Sequence, residues 1–196
     1  MKRLPVFLNL EDKTIIIVGG GRAAEIKVRA LAEFSLEMQV IAPFVSREIK
    51  GLAETLPIIV VEKSFSLKDL EGADIVFAAA DTETNFRVWE EAIKRGILCC
   101  TAQGKGDFIL PAYKKKGDLT VAVSTDGQYP LMAKRICEGI DFSMGERLEE
   151  LGRLRRWVIE HIQDKDVRKQ VLVELLEGEY HTIYDILGRY GYEQEN

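Results

Sequence analysis

The residues best suited to chemistry lie near the start of the chain, where Val18-Gly19-Gly20-Gly21-Arg22-Ala23-Ala24 follows the apolar run Thr14 to Val18. The spacing of Gly19, Gly21 and Ala24 is what a phosphate-binding strand-to-helix turn requires. Gly19 permits the tight turn, Gly21 leaves room for a pyrophosphate, and Ala24 lets the helix pack closely on the strand. Amides at the opening of that helix then offer hydrogen bonds and a positive dipole end to phosphate oxygens. A glycine pattern alone is weak, but between a buried strand and a helix it reads as a dinucleotide site.

Further along, Ala78-Ala79-Ala80-Asp81 closes another apolar run. Its small side chains either let a cofactor approach the backbone or simply pack closely. The stretch Ala42-Pro43-Phe44 ends the second apolar run without the acid that often holds ribose hydroxyls there. Ser46, or main-chain groups around Pro43 and Phe44, can take that role. Arg47 is near but does not directly follow Pro43, so NAD is favoured over NADP. Ser124-Thr125-Asp126-Gly127 precedes a helix starting near Pro130, and is either an ordinary cap or an anion site. Lys134 and Arg135 add charge one turn later. The three cysteines, Cys99, Cys100 and Cys137, and the two histidines, His161 and His181, have no metal-ligand spacing, and no metal is expected. Cys99 and Cys100 read as buried filler on opposite faces of a strand.

Alternating elements must hold these residues in place. Thr14 to Val18, Met38 to Ala42, Ile58 to Val61, Ile75 to Ala79 and Ile97 to Cys100 read as strands buried on both faces. Helices are expected at Ala23 to Phe34, with Ala23, Ile26, Ala30 and Phe34 as its stripe, and at Thr84 to Arg95, ended by Gly96. This is an α/β pattern, and right-handed crossovers make it a Rossmann-type doubly wound parallel sheet. Phe108 to Leu110 and Leu119 to Val123 read as two more strands around a Lys-rich turn. Helices follow at Pro130 to Phe142 (with Leu131, Ala133, Ile136 and Ile140 apolar), Glu146 to Gln163, Asp166 to Leu176 and Thr182 to Tyr190. They are expected to pack on the sheet or on another subunit, predicting a homodimer. The partition is a nucleotide-binding domain at 1–112, a dimerisation region at 113–145 and a small C-terminal helical domain at 146–196.

These residues resemble the precorrin-2 dehydrogenase/sirohydrochlorin ferrochelatase family, including the N-terminal half of bacterial siroheme synthase. The resemblance runs from Leu4-Pro5-Val6-Phe7-Leu8 through the glycines, Lys27-Val28-Arg29, Val40 to Pro43, and Ala78 to Asp81 with Asn85. Its most specific block is Asp107 to Ala112, with Val121 to Gly127 and Pro130-Leu131. It implies NAD-dependent oxidation of precorrin-2 to sirohydrochlorin in siroheme biosynthesis. Arg22, Ala23, Pro43 and Phe44 match the family's NAD contacts, and Ala79 and Asp81 join Gly19, Gly20 and Gly21 in the expected cofactor set. Ser124, Thr125 and Gly127 become receptors for the acetate and propionate groups of the tetrapyrrole. Where the family commonly has Asn-Val-Val-Asp, with the Asp handling protons, this chain has Cys100-Thr101-Ala102-Gln103. A neutral amide is no carboxylate base. Gln103 and Asp107 are the candidate catalytic positions, and iron insertion is expected to be weak. The rival readings are a bifunctional dehydrogenase and chelatase, and a non-catalytic NAD(H)- or tetrapyrrole-binding regulator.

Composition narrows the classes. The 196 residues carry a net charge of −5, and Lys114-Lys115-Lys116 is the one basic block free of acidic neighbours. Counterion-releasing contacts with phosphates need a basic face, so a nucleic-acid partner is disfavoured. No window approaches the ~20 apolar residues of a membrane span. Met1 to Leu10 is too short and too soon interrupted for a signal peptide, and the unpaired cysteine arithmetic suits a reducing cytoplasm.

Overall fold

The computed structural model describes residues 3–34, 36–102, 105–178 and 183–191. They form two compact units that meet in sequence between Leu110 and Pro111.

The first unit begins with β1 (Ile15–Val18), α1 (Arg22–Ala32), β2 (Met38–Ala42), α2 (Arg47–Ala53) and β3 (Ile58–Glu62). A 3-10 turn (Leu67–Leu70) leads to β4 (Ile75–Ala78), α3 (Thr82–Arg95) and β5 (Leu98–Thr101). All neighbours pair in parallel in the order β3-β2-β1-β4-β5, so the order reverses between β1 and β4. Every side chain of β1 is buried because both sheet faces are covered. Ile15 and Ile17 pack with Ala24, Val28 and Leu31 of α1, and with Ile49 of α2. Ile16 and Val18 pack on the opposite face with Leu70 and with Val88 and Ala92 of α3. Cys100 and Cys99 join these two clusters respectively, as period-2 alternation demands. Gly96 closes α3 in the left-handed conformation at φ 69°, which suits a residue without Cβ.

Two expectations need correction here. The stripe burying α1 is Ala24, Val28 and Leu31, whereas Ile26 and Phe34 are 54% and 41% exposed. Both sets have helical spacing, and the one buried is the one facing the sheet, with Ala24 and Val28 fully covered where α1 packs on Ile15 and Ile17. Phe108 to Leu110 is not a strand. Phe108 instead sets its ring edge-on to Phe77 at 5.5 Å and fills the α1-side core.

In the second unit the hairpin pairs β6 (Ala112–Lys116) with β7 (Leu119–Val123), antiparallel, with Lys116 opposite Leu119. The three lysines therefore lie on the strand and not in the turn, which is Gly117-Asp118 with Gly117 at φ 56°. Long cationic stems are well tolerated on a strand beside solvent. Next come α4 (Pro130–Gly139), α5 (Ser143–His161), α6 (Lys165–Glu177) and α7 (Ile183–Gly188). On α4 the buried side chains are Ala133 and Cys137, while Leu131 and Ile136 of the expected stripe are exposed. The closing helices bury a small core of their own: Leu154, Val158 and Ile162 meet Val171, Leu175, Ile186 and Leu187. His161 stacks on Trp157 at 4.6 Å.

Candidate functional site

Ligands of open α/β sheets bind outside the carboxyl ends of the strands, where the strand order reverses. Here that place is the end of β1 beside the end of β4, and the three glycines occupy it for different reasons. Gly19 has φ 127°, and a Cβ on it would lie 2.3 Å from the Ala79 carbonyl oxygen. A Cβ on Gly20 would lie 2.1 Å from the Phe44 carbonyl oxygen. The loop is also tied sideways to the second strand, since the Gly19 amide donates to the Ile41 carbonyl (2.9 Å) and the Ser46 amide to the Gly20 carbonyl (2.9 Å). These two glycines are demanded by the protein's own backbone.

Gly21 differs. A Cβ there would meet nothing within 4 Å, and Gly21 is exposed as the N-cap of α1. It has no side chain to cap the helix, so α1 begins with no side-chain acceptor for its first amides. Open space in front of uncapped amides is what an incoming pyrophosphate requires. The nucleotide of an NAD(P)-type cofactor therefore fits this turn. Arg22 and Ala23 open the helix, the first exposed and paired with Glu25 at 3.4 Å, the second partly buried. Pro43 and Phe44 are exposed at the end of β2, while Ser46 caps α2 by accepting from the Ile49 amide (3.4 Å).

The neighbouring helix has the opposite arrangement. Asp81 is the N-cap of α3, accepting from the Thr84 amide (2.9 Å) and hydroxyl (2.8 Å). The Thr84 amide, then its hydroxyl, hold the Asp81 carboxyl below the usual range, so this helix end carries its own anion. Ala79 is buried beside Gly19, and Ala80 is clamped by Asn85. The buried Asn85 side chain accepts from the Ala80 amide (2.8 Å) and donates to its carbonyl (3.0 Å). In the sequence the only sign of this clamp is a polar residue in the first turn of a helix that packs on a buried sheet.

Asp107 is exposed but fixed: its carboxylate accepts from the Cys99 amide (2.9 Å), and its own amide donates to the Cys99 carbonyl (2.8 Å). Burial, with smaller contributions from Cys100 and Asp107, pushes the Cys99 thiol up to about 12. Gln103 and His181 lie outside the described residues.

In the second unit, the Ser124 hydroxyl oxygen accepts from the Asp126 amide (3.1 Å) and that of Thr125 from the Tyr129 amide (3.2 Å). Asp126 and Gly127 both take left-handed backbone, at φ 52° and 78°. The segment is thus a turn closed by its own hydroxyls just before α4. Both hydroxyls serve as acceptors, and each retains a hydrogen for a ligand.

A family model described as "Putative NAD(P)-binding" matches residues 6–112. The chain belongs to this NAD(P)-binding family. Its curated relatives include "Siroheme synthase 1" of Serratia proteamaculans (strain 568), 29% identical over 93% of this chain and 40% of the relative. "Siroheme synthase 1" of Aeromonas hydrophila subsp. hydrophila is 31% identical over 91% of this chain and 40% of the relative. The chain thus spans about two fifths of the length of these relatives. The solved structure titled "SirC, precorrin-2 dehydrogenase" shares the fold at a TM-score of 0.76 and 24% identity, covering 96% of this chain and 98% of that one. Among the described residues of this NAD(P)-binding protein, no helix is long and apolar enough to cross a membrane.

Proposed function

We propose that this protein binds NAD and oxidises precorrin-2 to sirohydrochlorin, a step of siroheme biosynthesis. The observation that carries the cofactor half is Gly21, whose missing side chain leaves open space before the uncapped start of α1. The substrate half is supported by the likeness to siroheme synthases along nearly the whole chain. NAD is preferred over NADP because no cation directly follows β2, Arg47 coming only in the first turn of α2.

When bound, the nicotinamide supplies a hydride acceptor. Gly19 and Gly20 hold the turn close to β4 and β2, Gly21 admits the pyrophosphate, and Arg22 and Ala23 present helix amides to it. Pro43 and Phe44 border the adenosine end, and Ala79 keeps the strand end small. Asp81 shapes this edge by capping α3. Ser124, Thr125 and Gly127 receive substrate carboxylates through hydroxyl hydrogens and main-chain groups. The proton released with the hydride passes to water or to Asp107, and much of the rate comes from positioning. With Gln103 at the family's acidic position, iron insertion into the product is slow. The protein acts as a homodimer in the cytoplasm, assembled through the region 113–145, with 146–196 as a helical domain.

The test is to incubate the protein with precorrin-2 and either NAD⁺ or NADP⁺, follow the reduced nucleotide, and then add ferrous iron. Dehydrogenation with NAD⁺ and little siroheme above the spontaneous rate is the expected result. Tetrapyrrole binding without turnover would instead select the regulator reading.

A further inference from the structure

At the carboxyl ends of β4 and β5, a cavity of about 150 Å3 is lined by Thr82, Asn85, Phe86 and Trp89 of α3, by Thr101 at the end of β5, and by Lys105 beyond it. It adjoins the cofactor edge, since Thr82 follows Asp81 and Asn85 clamps Ala80. Its walls are two aromatic rings, Phe86 and Trp89, 5.8 Å apart and tilted by 45°. The Lys105 ammonium stands over both, 6.0 Å from the Phe86 centroid and 5.8 Å from that of Trp89. Among the described residues no carboxylate pairs with it.

The position of Lys105 is built. The Thr101 hydroxyl donates to the Lys105 carbonyl, and Asp107 is bonded twice to Cys99 two residues later. Gly106 between them passes so close to β5 that a Cβ would lie 2.6 Å from the Cys99 carbonyl oxygen. The returning chain is thereby pinned along β5, with Lys105 held over the rings.

We infer that this cavity is a subsite for one carboxylate-bearing arm of the substrate, with Lys105 as its cationic receptor and Phe86 and Trp89 against the adjoining ring edge. This rests on the reading of the substrate as a tetrapyrrole. The volume admits an acetate or propionate arm, not a macrocycle, so the ring system stays outside. Charge separates this occupant from the other group expected at the same edge. An oxidised nicotinamide is itself cationic and would be repelled by Lys105, whereas a carboxylate gains a charge-assisted hydrogen bond beside apolar walls.

The experiment compares the unaltered protein with Lys105→Gln, Lys105→Arg and Trp89→Leu, each checked for folding by its thermal transition. Lys105→Gln should raise the KM for precorrin-2 about tenfold, as loss of one charged hydrogen bond implies. It should leave kcat within about twofold and the NAD⁺ Kd unchanged, and Lys105→Arg should restore most of the KM. An unchanged KM, or a shift confined to NAD⁺ affinity, overturns the subsite. A second arm titrates uroporphyrin III and its octamethyl ester without cofactor. Weaker binding of the acid alone by Lys105→Gln supports the subsite, and equal binding of the acid by both proteins overturns it. If the unaltered protein fails to oxidise precorrin-2, the proposed function falls while this binding arm still decides the cavity.

Discussion

Asp107 and Cys99 are joined twice, carboxylate to amide at 2.9 Å and amide to carbonyl at 2.8 Å. The acid nearest in sequence to Gln103 is thus a brace on β5 as well as a candidate base. Asp107→Ala should cost about 1–2 kcal/mol in urea denaturation by orphaning the Cys99 amide. Asp107→Asn keeps an acceptor oxygen and should lower NAD⁺-dependent turnover by less than about tenfold, whereas an essential base would contribute about 10²-fold or more. A drop of that larger size in a stable Asp107→Asn protein would make Asp107 the base. Gln103→Asp should raise siroheme formation more than dehydrogenation.

The glycines give a contrast within three residues. Gly21→Val should abolish NAD binding, read by calorimetry, while its thermal transition stays near that of the unaltered protein. Gly19→Ala, with its left-handed backbone and 2.3 Å approach to Ala79, should lose more than about 3 kcal/mol of stability. A folded Gly21→Val protein with normal NAD affinity would remove the cofactor from this turn.

Replacing both Ser124 and Thr125 by Ala should raise the KM for precorrin-2 and leave NAD affinity near normal. The turn loses two acceptors as well, so about 1–2 kcal/mol of stability should go with them. Loss of NAD binding in the double variant would assign the segment to the other ligand.

Sedimentation should show a dimer of the 22.2 kDa chain at micromolar concentration. Met132 and Ile136 are exposed apolar residues one turn apart on α4, and Tyr129 just before the helix is exposed as well. Met132→Glu combined with Ile136→Glu should yield a monomer, because two carboxylates cannot be buried there without a partner. A monomeric unaltered protein contradicts the assembly.

Proton linkage works in opposite senses at two sites. Asp81 is held below its ordinary range, so its stabilising contribution is present above that range and is lost as pH falls through the lowered value. The Cys99 thiol is raised, so its contribution is full below the ordinary thiol range and is lost as pH climbs toward about 12. Thermal transitions across pH should therefore fall at both extremes. Iodoacetamide should leave Cys99 unmodified in the native protein at neutral pH, and rapid labelling would contradict its burial.

The sheet was legible because Ile15 to Val18 and Ile58 to Val61 are unbroken β-branched runs, and the other strands are short, mostly apolar runs whose length and burial agree. The order of functions inside Gly19-Gly20-Gly21 was partly legible: Gly21 faces open space, as its place before a helix suggests, but the backbones crowding Gly19 and Gly20 come from distant parts of the chain. Helix faces were harder. On α1, Ala23-Ile26-Ala30-Phe34 and Ala24-Val28-Leu31 are both apolar at helical spacing, and only the approach to the sheet chooses between them. Lys105 carried no local signal, since its aromatic neighbours lie on α3, on the far side of β5 in sequence. Phe108 misled as a strand residue because a core-filling aromatic and a strand look alike in three residues.

The caps on α1 and α3 have a consequence for selectivity by exclusion. Two helices on opposite faces start at adjoining strand ends, and each presents a partial positive pole to the carboxyl edge of the sheet. Asp81 permanently neutralises one pole, while Gly21 leaves the other bare. An arriving phosphate therefore meets a single vacancy beside a fixed repulsive charge, not two equivalent berths. For a dinucleotide held as proposed at Gly21, the direction in which it lies across the edge would then be decided before any base or ring is recognised. Exchanging the two cap residues would blur that polarity without disturbing a strand.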